Sequence, residues 1–176
     1  MRNHSSQSSY PDTASAMTTK RQIAQLVFIL LMLTACGDAK SPQQAFESGD
    51  YESSFEQYLS LAESGDGEAA NYLGIHYYLG LGTRKDFDKA NEWFLSSALG
   101  ENADAMRNLG VMYMRGHGVS QDWGRAYGWL YHAVQREHPT AEEYLVVTAD
   151  YVTPNKSMQE RAFVENLIKE AKKPAK

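Results

Sequence analysis

The chain has 176 residues, 17 basic and 22 acidic, for a formal net charge of −5. An acidic surface argues against nucleic acid and against electrostatic adhesion to anionic lipid. The single cysteine, Cys36, excludes an intramolecular disulfide.

Taken in order, Met1–Thr19 is polar and rich in Ser and Thr, with nothing to bury. Lys20 and Arg21 then precede an apolar run from Ile23 to Leu33. As a helix that run rises about 16 Å, too short for a bilayer core of about 30 Å. A basic flank, a short apolar core and small residues after it describe a secretory signal over residues 1–35, with Met17 as a possible true start. Leu33-Thr34-Ala35-Cys36 resembles a bacterial lipobox. That resemblance implies an acylated Cys36 as the mature N-terminus, followed by a tether over residues 36–44. Gly37 follows the cysteine and Asp38 comes one place later, which points to the outer membrane. The segment to residue 35 holds Arg2, Lys20, Arg21 and Asp12, so the remainder carries a net charge of −7. Anchoring would then fall to the acyl chains.

From Ala45 a repeated pattern begins in worn form, and residues 45–64 read as a degenerate leading repeat. Two full copies of 36 residues follow, 65–100 and 101–136. Ala69/Ala105, Leu73/Leu109, Gly74/Gly110, Tyr77/Tyr113, Gly80/Gly116, Gly82/Gly118, Asp86/Asp122, Ala90/Ala126 and Trp93/Trp129 keep step. Self-similarity at such a period signals stacked repeats. Ala69, Leu73 and Tyr77 lie four apart and share a helix face, and the spacing Phe87, Ala90, Trp93, Ser97 is helical too. Each unit is therefore two helices with a glycine turn. Gly74 and Gly110 fall inside the first helix, where glycine costs about 1 kcal/mol relative to alanine, so a neighbouring helix is expected close by. Gly80-Leu81-Gly82 and Gly116-His117-Gly118 should end that helix through left-handed residues. Asp86 and Asp122 should cap the second. Tyr77, Trp93, Tyr113 and Trp129 read as core, whereas Tyr72, Tyr78, Tyr127 and Tyr131 break the repeat.

The pattern Ala-x3-Leu-Gly-x2-Tyr-x2-Gly-x-Gly, then Asp-x3-Ala-x2-Trp, resembles the Sel1-like repeat, a relative of the tetratricopeptide repeat. The resemblance implies an all-α fold, an α/α solenoid of helix-turn-helix units that binds proteins. It implies that the first helix of each unit lines a concave face, with Glu68, Asn71, Ile75, Tyr78 and Leu79 from one copy. Asp104, Arg107, Val111, Met114 and Arg115 come from the other. Asn71, Ile75, Tyr78, Arg107, Val111, Met114 and Arg115 are the candidate partner-binding residues, a mixture of apolar and arginine side chains suited to a protein ligand.

Residues 137–176 read as a partial repeat and a capping helix. Ala141 and Leu145 keep step, but the Gly-x-Gly turn is missing and Thr153-Pro154-Asn155 breaks the chain. Ser157-Met158-Gln159-Glu160 has the form of a capping box, opening a helix with Phe163, Leu167 and Ala171 on one stripe. That helix is expected to cover the last apolar face of the solenoid.

Catalytic patterns are missing from the sequence. His4, His76, His117, His132 and His138 form no His-x3-His pair or Glu-flanked zinc motif, and no Gly-x-Ser-x-Gly elbow occurs. No metal and no cofactor is expected beyond covalent lipid on Cys36. The expectation is a monomeric, non-enzymatic scaffold in the periplasm, lipid-anchored to a bacterial membrane, with a protein partner in the cell envelope. The alternatives are an immunity protein neutralising a periplasmic toxin, a cell-wall glycan-processing enzyme using His76 or Glu68, and a purely structural tether.

Overall fold

The computed structural model describes residues 40–174. The signal segment, Met17 and Cys36 lie outside the described residues. Those residues form eight helices: α1 (Pro42–Glu47), α2 (Tyr51–Glu63), α3 (Gly67–Leu79), α4 (Phe87–Leu99), α5 (Ala103–Arg115), α6 (Trp123–Val134), α7 (Ala141–Ala149) and α8 (Pro154–Ala171). Helices α2 to α7 pack each against the next, and α1 packs on α2. The stack is an α/α solenoid. Among the described residues no helix is long and apolar enough to cross a membrane.

Every described helix except α7 starts where a short polar side chain takes an unpaired amide; Thr140, ahead of α7, makes no such bond. Asp50, Asp86 and Asp122, each 36 residues apart, accept from the N–H groups of Ser53, Lys89 and Arg125 ahead of α2, α4 and α6. Asp66 and Asn102 do the same for α3 and α5. Ser41 and Gln44 form a reciprocal capping box for α1. That helix begins at Pro42, so the tether expected over residues 36–44 is already helical in its last three residues. The first helices end as expected, on Gly80 (φ 75°) and Gly116 (φ 70°). The amides of Asp86 and Asp122 close the turns on the carbonyls of Tyr77 and Tyr113, at 2.9 and 3.0 Å.

Two glycine contacts set the helix spacing. Within a unit, a Cβ on Gly74 would lie 2.6 Å from the Phe94 ring, and one on Gly110 would lie 2.5 Å from Leu130. Between units, Gly82 (φ 64°) is pressed onto the first residue of α2, where a Cβ would lie 2.1 Å from the Tyr51 carbonyl oxygen. Gly118 (φ 66°) repeats this on the Phe87 carbonyl at 2.4 Å, 36 residues later. Phe94 and Trp129 are each only 2 % exposed, whereas Trp93 and Tyr113, expected in the core, are half-buried. Trp93 lines an open depression beside Leu59, Tyr77 and Lys89, while Trp129 belongs to α6, the helix α8 packs against.

The C-terminal region departs from expectation. Helix α8 starts four residues early, capped by Thr153 in place of Ser157, because Pro154 suits a first helical turn and Thr153 accepts from the Lys156 amide. Ser157 lies inside the helix and bonds back to the Pro154 carbonyl, so the expected capping box does not form. The buried stripe is Glu160, Val164 and Ile168, not Phe163, Leu167 and Ala171. Its seat is a pair of small residues on α6, Gly124 and Gly128; a Cβ on Gly128 would meet the Glu160 carbonyl at 2.9 Å. Glu160 is neutralised there by Arg125 at 3.0 Å and Lys156 at 2.6 Å. The far end of α8 reaches the α4–α5 loop, where Lys172 and Arg136 both grip Glu101 and hold its carboxyl below the usual range. Because α8 turns back onto α6, Val146 and Val147 on α7 and Tyr151 just past it remain exposed. The expected cover is provided over α6, where Val164 and Ile168 are buried, and does not extend over these α7 residues.

One buried polar group ties the leading helices to the first unit. His76 is fully buried, with Nδ1 2.8 Å from the Leu81 carbonyl and Nε2 3.1 Å from Ser54 Oγ. The Phe46, Phe55 and Tyr58 rings stand around it. Burial pushes its pKa below the usual histidine value, against a smaller opposing pull from the Leu81 carbonyl.

Gly118→Ala should destabilise the protein by roughly 2–5 kcal/mol, combining a left-handed alanine with a backbone clash. Gly67→Ala, which faces open space in a helix, should be neutral or stabilising by up to about 1 kcal/mol. Urea denaturation checks both; equal effects would refute the glycine-contact account. With a folded His76 pKa below the unfolded one, the unfolded chain binds the extra proton. Stability should thus be full above about pH 6.5 and fall as pH drops from there towards the folded value. Melting curves at pH 7.5 and 5.5 should show a larger loss for wild type than for His76→Gln.

Candidate functional site

The first helices α3 and α5, with α7 beyond them, line one side of the stack, and two adjoining depressions run between them. The larger, about 290 Å³, is lined by Ile75, Tyr78, Leu79, Phe94, Arg107, Asn108, Val111, Arg115 and Tyr144. Its centre is aliphatic because Ile75 and Val111 stand at the same register of α3 and α5. Its floor is Phe94, the ring that Gly74 admits. The smaller, about 270 Å³, is bounded by Asn71, Tyr72, Ile75, Asp104, Arg107, Asn108 and His138.

Five of the seven candidate residues, Ile75, Tyr78, Arg107, Val111 and Arg115, fall in the larger depression, and Asn71 falls in the smaller. Met114 lines neither; it is half-buried, and its carbonyl accepts from Gln121 Nε2 at 2.7 Å. Asn71 and Val111 are themselves buried, so they shape the groove more than they present to it. Leu79, 50 % exposed, is the open apolar edge.

A polar network fixes the groove walls. Arg107 Nη1 donates to Asn108 Oδ1 at 3.1 Å, and Asn108 Nδ2 donates to Asn71 Oδ1 at 3.1 Å, joining α5 to α3. Arg107 Nη2 donates to the Tyr144 hydroxyl at 3.0 Å, with the guanidinium 4.7 Å from the ring centre. Buried Arg107 Nε finds no acceptor among the described residues. At the other end Arg115 Nη1 reaches the Tyr78 hydroxyl at 3.4 Å, and that hydroxyl lies 3.0 Å from His117 Nδ1. His117 stacks on Phe87 at 4.5 Å, so the second turn is clamped to the first unit. The end formed by the helix starts is acidic: burial, then Glu68 and Asp104, raises the Tyr72 pKa.

Phe94, Asn108 and Tyr144 are groove residues that reading of the sequence missed, and the last two share a signal. Both lie in the column Tyr72/Asn108/Tyr144 at the repeat interval, one place after Asn71/Arg107. Following that column into the worn third unit would have found them. Ser54 and His76 have the separation of a nucleophile–base pair, but both are 0 % exposed. The described residues hold no group of three or more His, Cys, Asp or Glu arranged to bind a metal ion. What the groove offers is shape, apolar surface and positive charge.

Residues 67–102 and 103–138 match the Sel1 repeat family. A protective antigen present in uropathogenic Escherichia coli strains, displaying an SLR fold, superposes with a TM-score of 0.68 at 22% identity. That match covers 77% of this chain and 32% of the antigen. A Sel1 repeat protein from Oxalobacter formigenes gives a TM-score of 0.58 at 27% identity, over 74% of this chain and 54% of the other. The chain thus spans about a third and about half of the lengths of these two structures. No curated protein matches the sequence. Sel1 repeats generally serve as protein–protein interaction scaffolds. At the centre of this chain, therefore, stand two consecutive Sel1 repeats carried in an α/α solenoid.

Proposed function

We propose that this protein is a lipid-anchored scaffold of the bacterial envelope that holds another protein in the groove between α3 and α5. The observation that carries the reading is the groove itself. An aliphatic centre at Ile75 and Val111 with an exposed edge at Leu79 is ringed by Arg107, Arg115, Tyr78 and Tyr144. Aromatic residues and arginine around an apolar centre are what interface cores are enriched in. The role is binding without turnover. Membrane attachment rests on the Leu33-Thr34-Ala35-Cys36 motif after the apolar run.

In a crosslinked pull-down from the native envelope, wild type should capture a stoichiometric protein that a Leu79→Glu/Tyr78→Ala variant loses. Capture unchanged by those groove substitutions would defeat the assignment of the site, and turnover of a wall polymer by the purified protein would replace it with the enzymatic reading. Cys36→Ser should leave the protein unacylated, with no incorporation of labelled palmitate, and larger on gels because the signal segment is retained. An unchanged mature size would refute the anchor.

A further inference from the structure

The groove's charge specifies its ligand, an argument that rests on the binding reading above. Arg107, Val111 and Arg115 succeed one another at four-residue intervals on α5, about 6 Å of rise per step. An aliphatic surface therefore lies between two guanidinium groups on one wall. Neither arginine is within ion-pair reach of a carboxylate among the described residues, although Asp and Glu outnumber Lys and Arg by 22 to 17. The nearest carboxylate in sequence, Asp104, is turned to His138 Nε2 at 3.0 Å, and Glu101 is taken by Arg136 and Lys172. Outside the groove, Arg125 and Arg136 have acidic partners, whereas Arg84 has none among the described residues and Arg161 lies over the Tyr131 ring.

The two groove arginines are instead oriented by neutral groups, the hydroxyls of Tyr144 and Tyr78 and the amide of Asn108. A guanidinium has five N–H donors, so these bonds position each group and leave donors for a carboxylate fork. Arg115 is exposed, but Arg107 is half-buried with its Nε unpaired among the described residues, and holding that cation against neutral oxygen alone costs solvation that an arriving carboxylate would restore. We infer that the groove takes an acidic peptide segment of a partner protein. One aliphatic side chain sits against Ile75 in the depression that Val111 shapes, and a carboxylate on either side pairs with Arg107 and Arg115. Asp104 stands one turn before Arg107 and borders the same smaller depression, so a ligand that carries further negative charge towards the helix starts is repelled.

The test is selection of a random dodecapeptide phage library on the full chain, followed by fluorescence anisotropy with the enriched peptides. Enriched sequences should carry Asp or Glu on both sides of an aliphatic residue and bind more weakly as salt rises. Arg107→Gln and Arg115→Gln should each lower affinity roughly tenfold or more. Leu79→Glu, at an exposed position, should do the same by placing a competing carboxylate at the groove edge; unchanged circular dichroism confirms that each variant folds. Enrichment of neutral or basic peptides, or acidic peptides held equally by both glutamine variants, would overturn the charge assignment and leave the binding reading standing. No peptide enriched above a Leu79→Glu/Tyr78→Ala control would overturn both.

Discussion

The packing of the stack depends on how closely one backbone can approach another. Gly82 and Gly118 carry each unit's turn onto the first peptide carbonyl of the preceding unit's second helix, with no room for a single added carbon. The contact recurs at the same register, so it fixes the rise from one unit to the next as well as joining them. Gly74 and Gly110 do the equivalent within a unit, letting Phe94 and Leu130 sit against bare helix backbone. A larger side chain at any of these four places would push α3 and α5 to another separation. The groove exists at its observed width because those glycines hold the helices on both sides of it.

The groove in turn shows how a repeat becomes specific. Positions that contact neighbouring units are copied from one unit to the next, while Asn71/Arg107 and Leu79/Arg115 in the same columns are not. Copied positions build a scaffold that would be alike at every step. Divergent positions give this one its polarity, with acid at the helix starts and arginine towards the helix ends. Asn108, reaching back to Asn71, ties the two kinds together.

The parts legible from sequence were those the period repeats: the helix pairs, the aspartate caps, the left-handed glycines and the close approach at Gly74 and Gly110. Five groove residues were reachable because they occupy equivalent columns of a recognised unit. The sequence was least informative where the period stops. The Ser157–Glu160 spacing looked like a helix start, yet Thr153 with Pro154 forms a better one four residues earlier, and Glu160 is drawn inward by Arg125 and Lys156. The register of α8 is set by Gly124 and Gly128, which replace the Asp88 and Glu92 of the previous unit. Nothing local to α8 announces that partner. Trp93 and Trp129 share a column but not an environment, since α8 packs along α6 and touches α4 much less.

An array built from one repeated contact has no intrinsic reason to end, and a free end that still offers the contact invites head-to-tail growth between molecules. Here the position one period beyond Gly118 is Pro154, the first residue of a helix that turns away. At the start of α6, where a following turn would dock, the Tyr151 ring lies flat on Trp123 at 4.1 Å. Another molecule bringing its own Gly-x-Gly turn to that place meets a closed ring pair before it meets the backbone. The register that builds the stack thus ends on a ring–ring contact, where each earlier unit receives a glycine turn on bare backbone.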